Sequence, residues 1–229
     1  MSRARALLAE AADVSGPLGS QLCELQWGRG LLARWNGDAG AAVQRLERAL
    51  VLSREAEDQW RQHKCLGWLA MLEFERRNYQ HAREHASELR DVAARLGEDA
   101  PLADALDALS AFVEDPLAAS DGVDAALSRL RYIDDKSHLA YALNAAATSC
   151  LGRDAPRAAT YAEEALGAAR AMRRQGEAAI AEALLACARG EAGARVNELR
   201  EQARDADRFS ARTLQLIEHA GASRALGPR

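Results

Sequence analysis

The stretch NGDAGAAVQRLERAL, residues 36–50, reads as a short polar turn running into a helix. Gly37-Asp38 supplies the turn; Ala42, Leu46 and Ala49 follow at offsets of four and three, which sets them on one helical face. The same order recurs in RNYQHAREHASEL (77–89), with Asn78-Tyr79, Ala82, Ala86 and Leu89, and in GRDAPRAATYAEEAL (152–166), with Arg153-Asp154, Ala158, Ala162 and Ala165. Each copy is preceded by another helical stretch: ELQWGRGLLARW, HKCLGWLAMLEFER and HLAYALNAAATSCL. The unit is therefore helix, short turn, helix.

A weaker copy lies in PLADALDALSAFV followed by GVDAALSRLRYI, where Ala126 takes the place of the small residue. Ala42, Ala82, Ala126 and Ala158 then mark units within the roughly 20–45-residue period of helical-hairpin arrays. AAIAEALLACARG with ARVNELREQARDADRF reads as a fifth, degenerate hairpin, and SARTLQLIEHAG as a terminal cap. RARALLAEAA resembles the second helix of a hairpin whose first is missing. The expectation is one domain over 1–229: a partial repeat helix in 1–16, about four hairpins in 18–190, and a degenerate repeat with a cap in 191–229.

Composition points the same way. The hydrophobic fraction of the 229 residues is 48%, yet aromatics make up 5% and there are five prolines. Ala, Leu, Arg and Glu are strong helix formers, and small side chains let helix axes approach. An all-α protein follows. Its net charge of −4 gives no general affinity for nucleic acid or for an anionic membrane, and no run of about 18 apolar residues is present to span a bilayer. Glu10 interrupts the first apolar run too early for a signal-peptide core. Lys64 and Lys136 are the only lysines. Cys23, Cys65, Cys150 and Cys187 are widely spaced, which reads as reduced, mostly buried thiols in a cytoplasmic protein.

These repeats resemble the tetratricopeptide repeat family. Gly30, the Gly37-Asp38 turn, Ala42, Leu46, Ala49 and Leu50 carry the match in the first full unit; Ala70, Asn78, Tyr79 and Ala82 in the second; Ala146, Asp154, Ala158 and Ala165 in the third. The long spacing and the sparse aromatics are similar to the divergent repeats of bacterial signalling ATPases and transcriptional regulators. The resemblance implies a right-handed superhelical solenoid of stacked antiparallel hairpins, used for protein recognition.

Several short motifs have catalytic associations. His81, Glu84 and His85 form H-x-x-E-H, a spacing that can hold zinc beside a carboxylate base. Each histidine lies one residue before the stripe Ala82, Ala86, Leu89, Ala93, Leu96, and no distant motif supplies a third ligand, so the two read as flank residues. GDAGAA and SGPLGS (15–20) lack the Gly-Lys-Ser/Thr ending of a phosphate loop. Cys65 stands two residues after His63, a spacing that separates side chains on a helix. Asp135 and His138, in DDKSH, head a helix, where an acidic residue caps. No catalytic residue, metal or cofactor is expected; a zinc peptidase is the remote alternative.

The surface then carries the function. First helices of stacked hairpins line a concave groove, here Glu24, Trp27, Leu31, Arg34 and Trp35, then Lys64, Gly67, Met71, Phe74 and Glu75. Trp60 and Trp68 fall at the seam between units, and the third unit offers the blander Leu143, Ala147 and Cys150. Asn144 alone stands where peptide-clamping relatives carry asparagines. Aromatics, Met and Arg suit a protein or peptide partner. The expected role is a non-catalytic scaffold or regulatory module, with a ligand- or peptide-sensing module as the alternative. Self-association into a homo-oligomer fits the exposed aromatics.

Overall fold

The computed structural model describes residues 22–116, 120–133, 135–203 and 209–223, with residues 3, 6, 7 and 10. Among the described residues it is all helical, without a strand. The helices are α1 (Cys23–Trp35), α2 (Ala39–Glu55), α3 (Gln59–Glu75), α4 (Tyr79–Leu96), α5 (Pro101–Glu114), α6 (Ser120–Tyr132), α7 (Lys136–Cys150), α8 (Ala155–Ala171), α9 (Gln175–Arg189), α10 (Ala192–Ala203) and α11 (Ala211–Ser223). Helices adjacent in the chain pack against one another, α1 with α2, α3 with α4, α7 with α8 and α9 with α10, and α11 packs on α9 and α10. The partial helix expected in 1–16 lies largely outside the described residues, as does the SGPLGS turn; residues 3, 6, 7 and 10 are helical. The chain divides into two compact units, Met1–Ser110 and Ala111–Arg229. No helix among the described residues is long and apolar enough to cross a membrane.

One capping solution starts four of these helices. The carboxylates of Asp38, Asp58, Asp135 and Asp154 accept from the backbone N–H three residues on, at Ala41, Arg61, His138 and Arg157, at 2.9–3.1 Å. Each satisfies a donor that helix geometry leaves orphaned. Asp135 thus serves as the cap its position suggested. Its carboxyl is held below the usual carboxylate range, first by its side-chain hydrogen bond with His138.

One turn also closes several of them. Gly37, Glu57, Arg77 and Arg173 adopt left-handed backbone (φ 86°, 53°, 64° and 52°), and each donates its N–H to the carbonyl three residues back. The next residue, Asp38, Asp58, Asn78 or Arg174, donates to the carbonyl five back. Glycine adopts this conformation without penalty, whereas Glu57, Arg77 and Arg173 carry the steric cost of a Cβ. Arg77→Gly is expected to raise stability by about 0.5–1 kcal/mol, the relieved strain outweighing the entropy glycine adds to the unfolded chain. A denaturant-midpoint comparison with Arg48→Gly, inside α2, checks it: the helix-interior change should lower the midpoint and the turn change should raise it.

The repeated alanines do what their spacing requires. Ala42, Leu46 and Ala49 of α2, Ala82, Ala86 and Leu89 of α4, and Ala158, Ala162 and Ala165 of α8 are all buried. In the first unit, Ala42, Leu46, Ala49 and Leu50 join Cys65, Leu66, Leu69 and Leu72 of α3, Ala86, Leu89 and Val92 of α4, and Ala103 of α5 in one apolar cluster. Gly30 brings α1 close to α2: a Cβ there would stand 2.8 Å from Leu46 Cγ. In the second unit, α7 is buried almost all round, from Leu139 to Cys150. Leu143, Ala147 and Cys150, expected to line a groove, are core residues instead, because α6, α8 and α9 all pack against α7.

Candidate functional site

Helices α1 and α3 are the first helices of successive hairpins and lie side by side, running the same way. Two ion pairs fix that register. Near the N-terminal ends, Arg61 pairs with Glu24 and also reaches Asp58. Near the C-terminal ends, the Arg34 guanidinium grips Glu75 through two bonds, Nη2 to Oε1 at 2.7 Å and Nε to Oε2 at 3.3 Å. The same guanidinium lies 5.0 Å from the centre of the Trp68 ring. The Arg34 and Glu75 side chains retain only 16% and 19% of their exposure. A bidentate pair held over an aromatic face is rigid and loses little to screening. Trp68 is therefore a seam residue, as its position suggested.

The other expected lining residues fall into three groups. Leu31 and Trp35 of α1 are half-buried beside Arg34, and Phe74 of α3 is half-buried with its ring edge-on to Tyr79, centroids 5.5 Å apart. Glu24 and Lys64 are exposed. Met71 corrects the expected lining: at 5% exposure it is part of the interior, as is Gly67, which faces Leu89 and Leu102. Both point inward because α3 is packed against α2 and α4, which leaves a narrower free stripe than an isolated helix pair would show. Trp27 is half-buried and packs against the apolar cluster, and its indole Nε1 is buried without a hydrogen-bond partner. Such an orphaned donor costs on the order of 1–3 kcal/mol. Trp60 is 52% exposed, edge-on to His63 at 6.3 Å between centroids.

The histidine motif does not assemble into a centre. His81 is exposed, and Glu84 accepts from Gln80 Nε2 at 3.0 Å. His85 is half-buried; burial pushes its pKa down, against Glu73, Glu88 and Glu47, which favour its charged form. Among the described residues no three His, Cys, Asp or Glu side chains come together so as to hold a metal ion.

Asn144, the isolated asparagine of α7, is 1% exposed and bound within its own unit. Its Nδ2 donates to the Glu177 backbone oxygen at 3.0 Å and to Oε2 at 2.8 Å, tying α7 to α9. Arg212 of α11 donates to the other Glu177 oxygen at 2.5 Å and lies 4.8 Å from the Tyr141 ring centre. This arrangement repeats the motif of Arg34, Glu75 and Trp68 in the first unit. It could not be found from local spacing, since the partners stand more than thirty residues apart.

The face formed by α1 and α3 thus presents half-exposed Leu31, Trp35 and Phe74 around an ion pair that neutralises itself, with Glu24, Arg61 and Lys64 toward one end. Such a face suits apolar side chains more than a charged group, because neither Arg34 nor Glu75 can turn to a ligand without stripping its partner of compensation. No protein-family model matches the chain, and no curated protein is similar enough to it to count as a relative.

Proposed function

We propose that the chain is a non-catalytic protein-interaction module, built as a solenoid of hairpins like those of tetratricopeptide repeats, that binds a protein or peptide segment across α1 and α3. One observation carries the reading: Leu31, Trp35 and Phe74 stay half-exposed together around a closed ion pair, while Leu46, Leu66, Leu69, Leu72 and Leu89 fill the core of the same unit. Aliphatic and aromatic side chains held by a rigid backbone bind a partner's apolar residues at small entropic cost. A reducing cytoplasm suits the four free thiols. The role is that of a scaffold or a regulatory module, in which the bound segment, not a reaction, carries the signal.

The test is recovery of a partner from native lysate on wild type, Leu31→Glu and Val51→Glu, with helicity checked for each. Val51 is exposed on α2 and serves as the control surface. A partner held by wild type and Val51→Glu but weakened at least tenfold by Leu31→Glu supports the reading. Equal recovery on all three, or loss with Val51→Glu alone, overturns the choice of face.

A further inference from the structure

Among the described residues of the second unit, the exposed large hydrophobic side chains are Tyr132, Ile133 and Met172, and all of them lie on one edge. Helices α6 and α8 run side by side in the same direction. Asp124 accepts from Arg157 Nη2 at 2.8 Å and from the Tyr161 hydroxyl at 2.6 Å. Further along both helices, the Arg131 guanidinium grips Glu164 through two bonds of 2.6 and 2.7 Å. The C-terminal ends of α6 and α8 therefore share an edge. Tyr132, 91% exposed, ends α6, and Ile133 follows it; Met172, 47% exposed, follows α8 and leads into the turn Arg173-Arg174.

That turn goes against local preference twice. Gly37-Asp38, Glu57-Asp58, Arg77-Asn78 and Arg173-Arg174 hold equivalent places, a left-handed residue followed by a helix N-cap. The first place suits glycine and the second suits Asp or Asn. Arg173 has φ 52°, and Arg174 caps α9 without a side-chain hydrogen bond, with its cation at the positive end of the helix dipole. Neighbouring charges are engaged: Arg131 with Glu164, Arg170 with Glu182, Asp135 with its own helix and His138. Arg173 and Arg174 are exposed and have no ion-pair partner among the described residues. Folding favours neither residue, so their use lies outside the fold.

We propose that this edge is a second interaction surface, which docks an acidic segment of a partner protein. Apolar side chains of the segment cover Tyr132, Ile133 and Met172, while its carboxylates meet Arg173 and Arg174. Tyr, Met and Arg are the side chains enriched where binding energy concentrates, and a guanidinium takes a carboxylate through two parallel bonds. Two unpaired cations match a few carboxylates. An anionic membrane or a nucleic acid draws on a broader basic patch, and this chain has a net charge of −4. None of this depends on what the α1/α3 face binds.

The experiment selects a phage-displayed library of random peptides on the whole chain, then measures the enriched peptides on wild type, Leu31→Glu and the double variant Arg173→Gly/Arg174→Asp. The double variant copies the Gly37-Asp38 turn, so it should melt about 3 °C or more above wild type. It should nevertheless bind the selected peptides at least tenfold more weakly. Those peptides should carry Asp or Glu beside apolar residues, bind Leu31→Glu as they bind wild type, and weaken as salt rises. Met172→Ser should weaken them as well. A double variant that melts below wild type would give the two arginines to the fold and overturn the proposal. So would a selection that enriches nothing, or only peptides that lack acidic residues or bind the double variant as tightly as wild type. Sedimentation of wild type, but not of the double variant, with phosphatidylcholine vesicles containing phosphatidylserine would assign the edge to a membrane instead.

Discussion

Gly30→Leu is expected to open the hairpin of α1 and α2. Even the Cβ of an alanine at this position would meet Leu46 Cγ at 2.8 Å, Leu46 Cδ2 at 3.2 Å and the Ala42 carbonyl oxygen at 3.3 Å. Leu46 is fully buried and has no space to rotate into, and the Ala42 oxygen belongs to a helix backbone. The helices must therefore separate. Gly30→Ala should lose about 1–3 kcal/mol of stability, net of the helix propensity it gains, and Gly30→Leu should lose more. Gly122→Ala is the matched control. Gly122 lies inside α6 with nothing within 4 Å of an added Cβ, so the propensity gain of up to about 1 kcal/mol should appear unopposed. Opposite signs in chemical denaturation would show that contact, not propensity, governs position 30. A stabilised Gly30→Ala would show that α1 can back away from α2.

Arg34→Glu has the second large effect. It places a carboxylate against Glu75 in a site where both side chains are more than four-fifths covered, and it removes the guanidinium from the Trp68 ring. A loss of about 2–4 kcal/mol is expected, toward the lower side of buried-pair values because some solvent reaches both groups. Glu75→Arg alone should be destabilising as well. The double change Arg34→Glu with Glu75→Arg restores opposite charges and should recover at least half of the summed loss. Additive losses in the double variant would mean that stacking on Trp68, not charge, holds the pair. Binding experiments on the α1/α3 face should therefore avoid Arg34, since its loss would change folding as well as recognition.

The hairpin pattern was legible because it is local. Ala42, Leu46 and Ala49 recur with their equivalents at helical offsets, and the structure buries all nine. Gly37, Asp38 and Asp154 were legible as turn residues for the same reason. What failed to show depends on neighbours distant in sequence. Met71 has the same spacing as the exposed Lys64 and the half-buried Glu75 on α3, and only the packing of α2 and α4 decides that it is enclosed. Arg34 reads as a free cation until Glu75 is found beside it. Glu57 and Arg77 carry no glycine signal, although their backbone repeats that of Gly37.

The shared turn geometry at Gly37, Glu57 and Arg77 has a consequence for cooperativity. The connection between α2 and α3, which joins one hairpin to the next, is built with the same bonds as the α1–α2 and α3–α4 connections inside the first two hairpins. Nothing in the backbone therefore marks the hairpin as the smallest melting unit. Where these three junctions share one construction and each helix leans on its immediate neighbours, opening proceeds from an end one helix at a time. Hydrogen-exchange protection in Met1–Ser110 should then grade along successive helices, with α3, enclosed by α2 and α4, among the last to yield its amides.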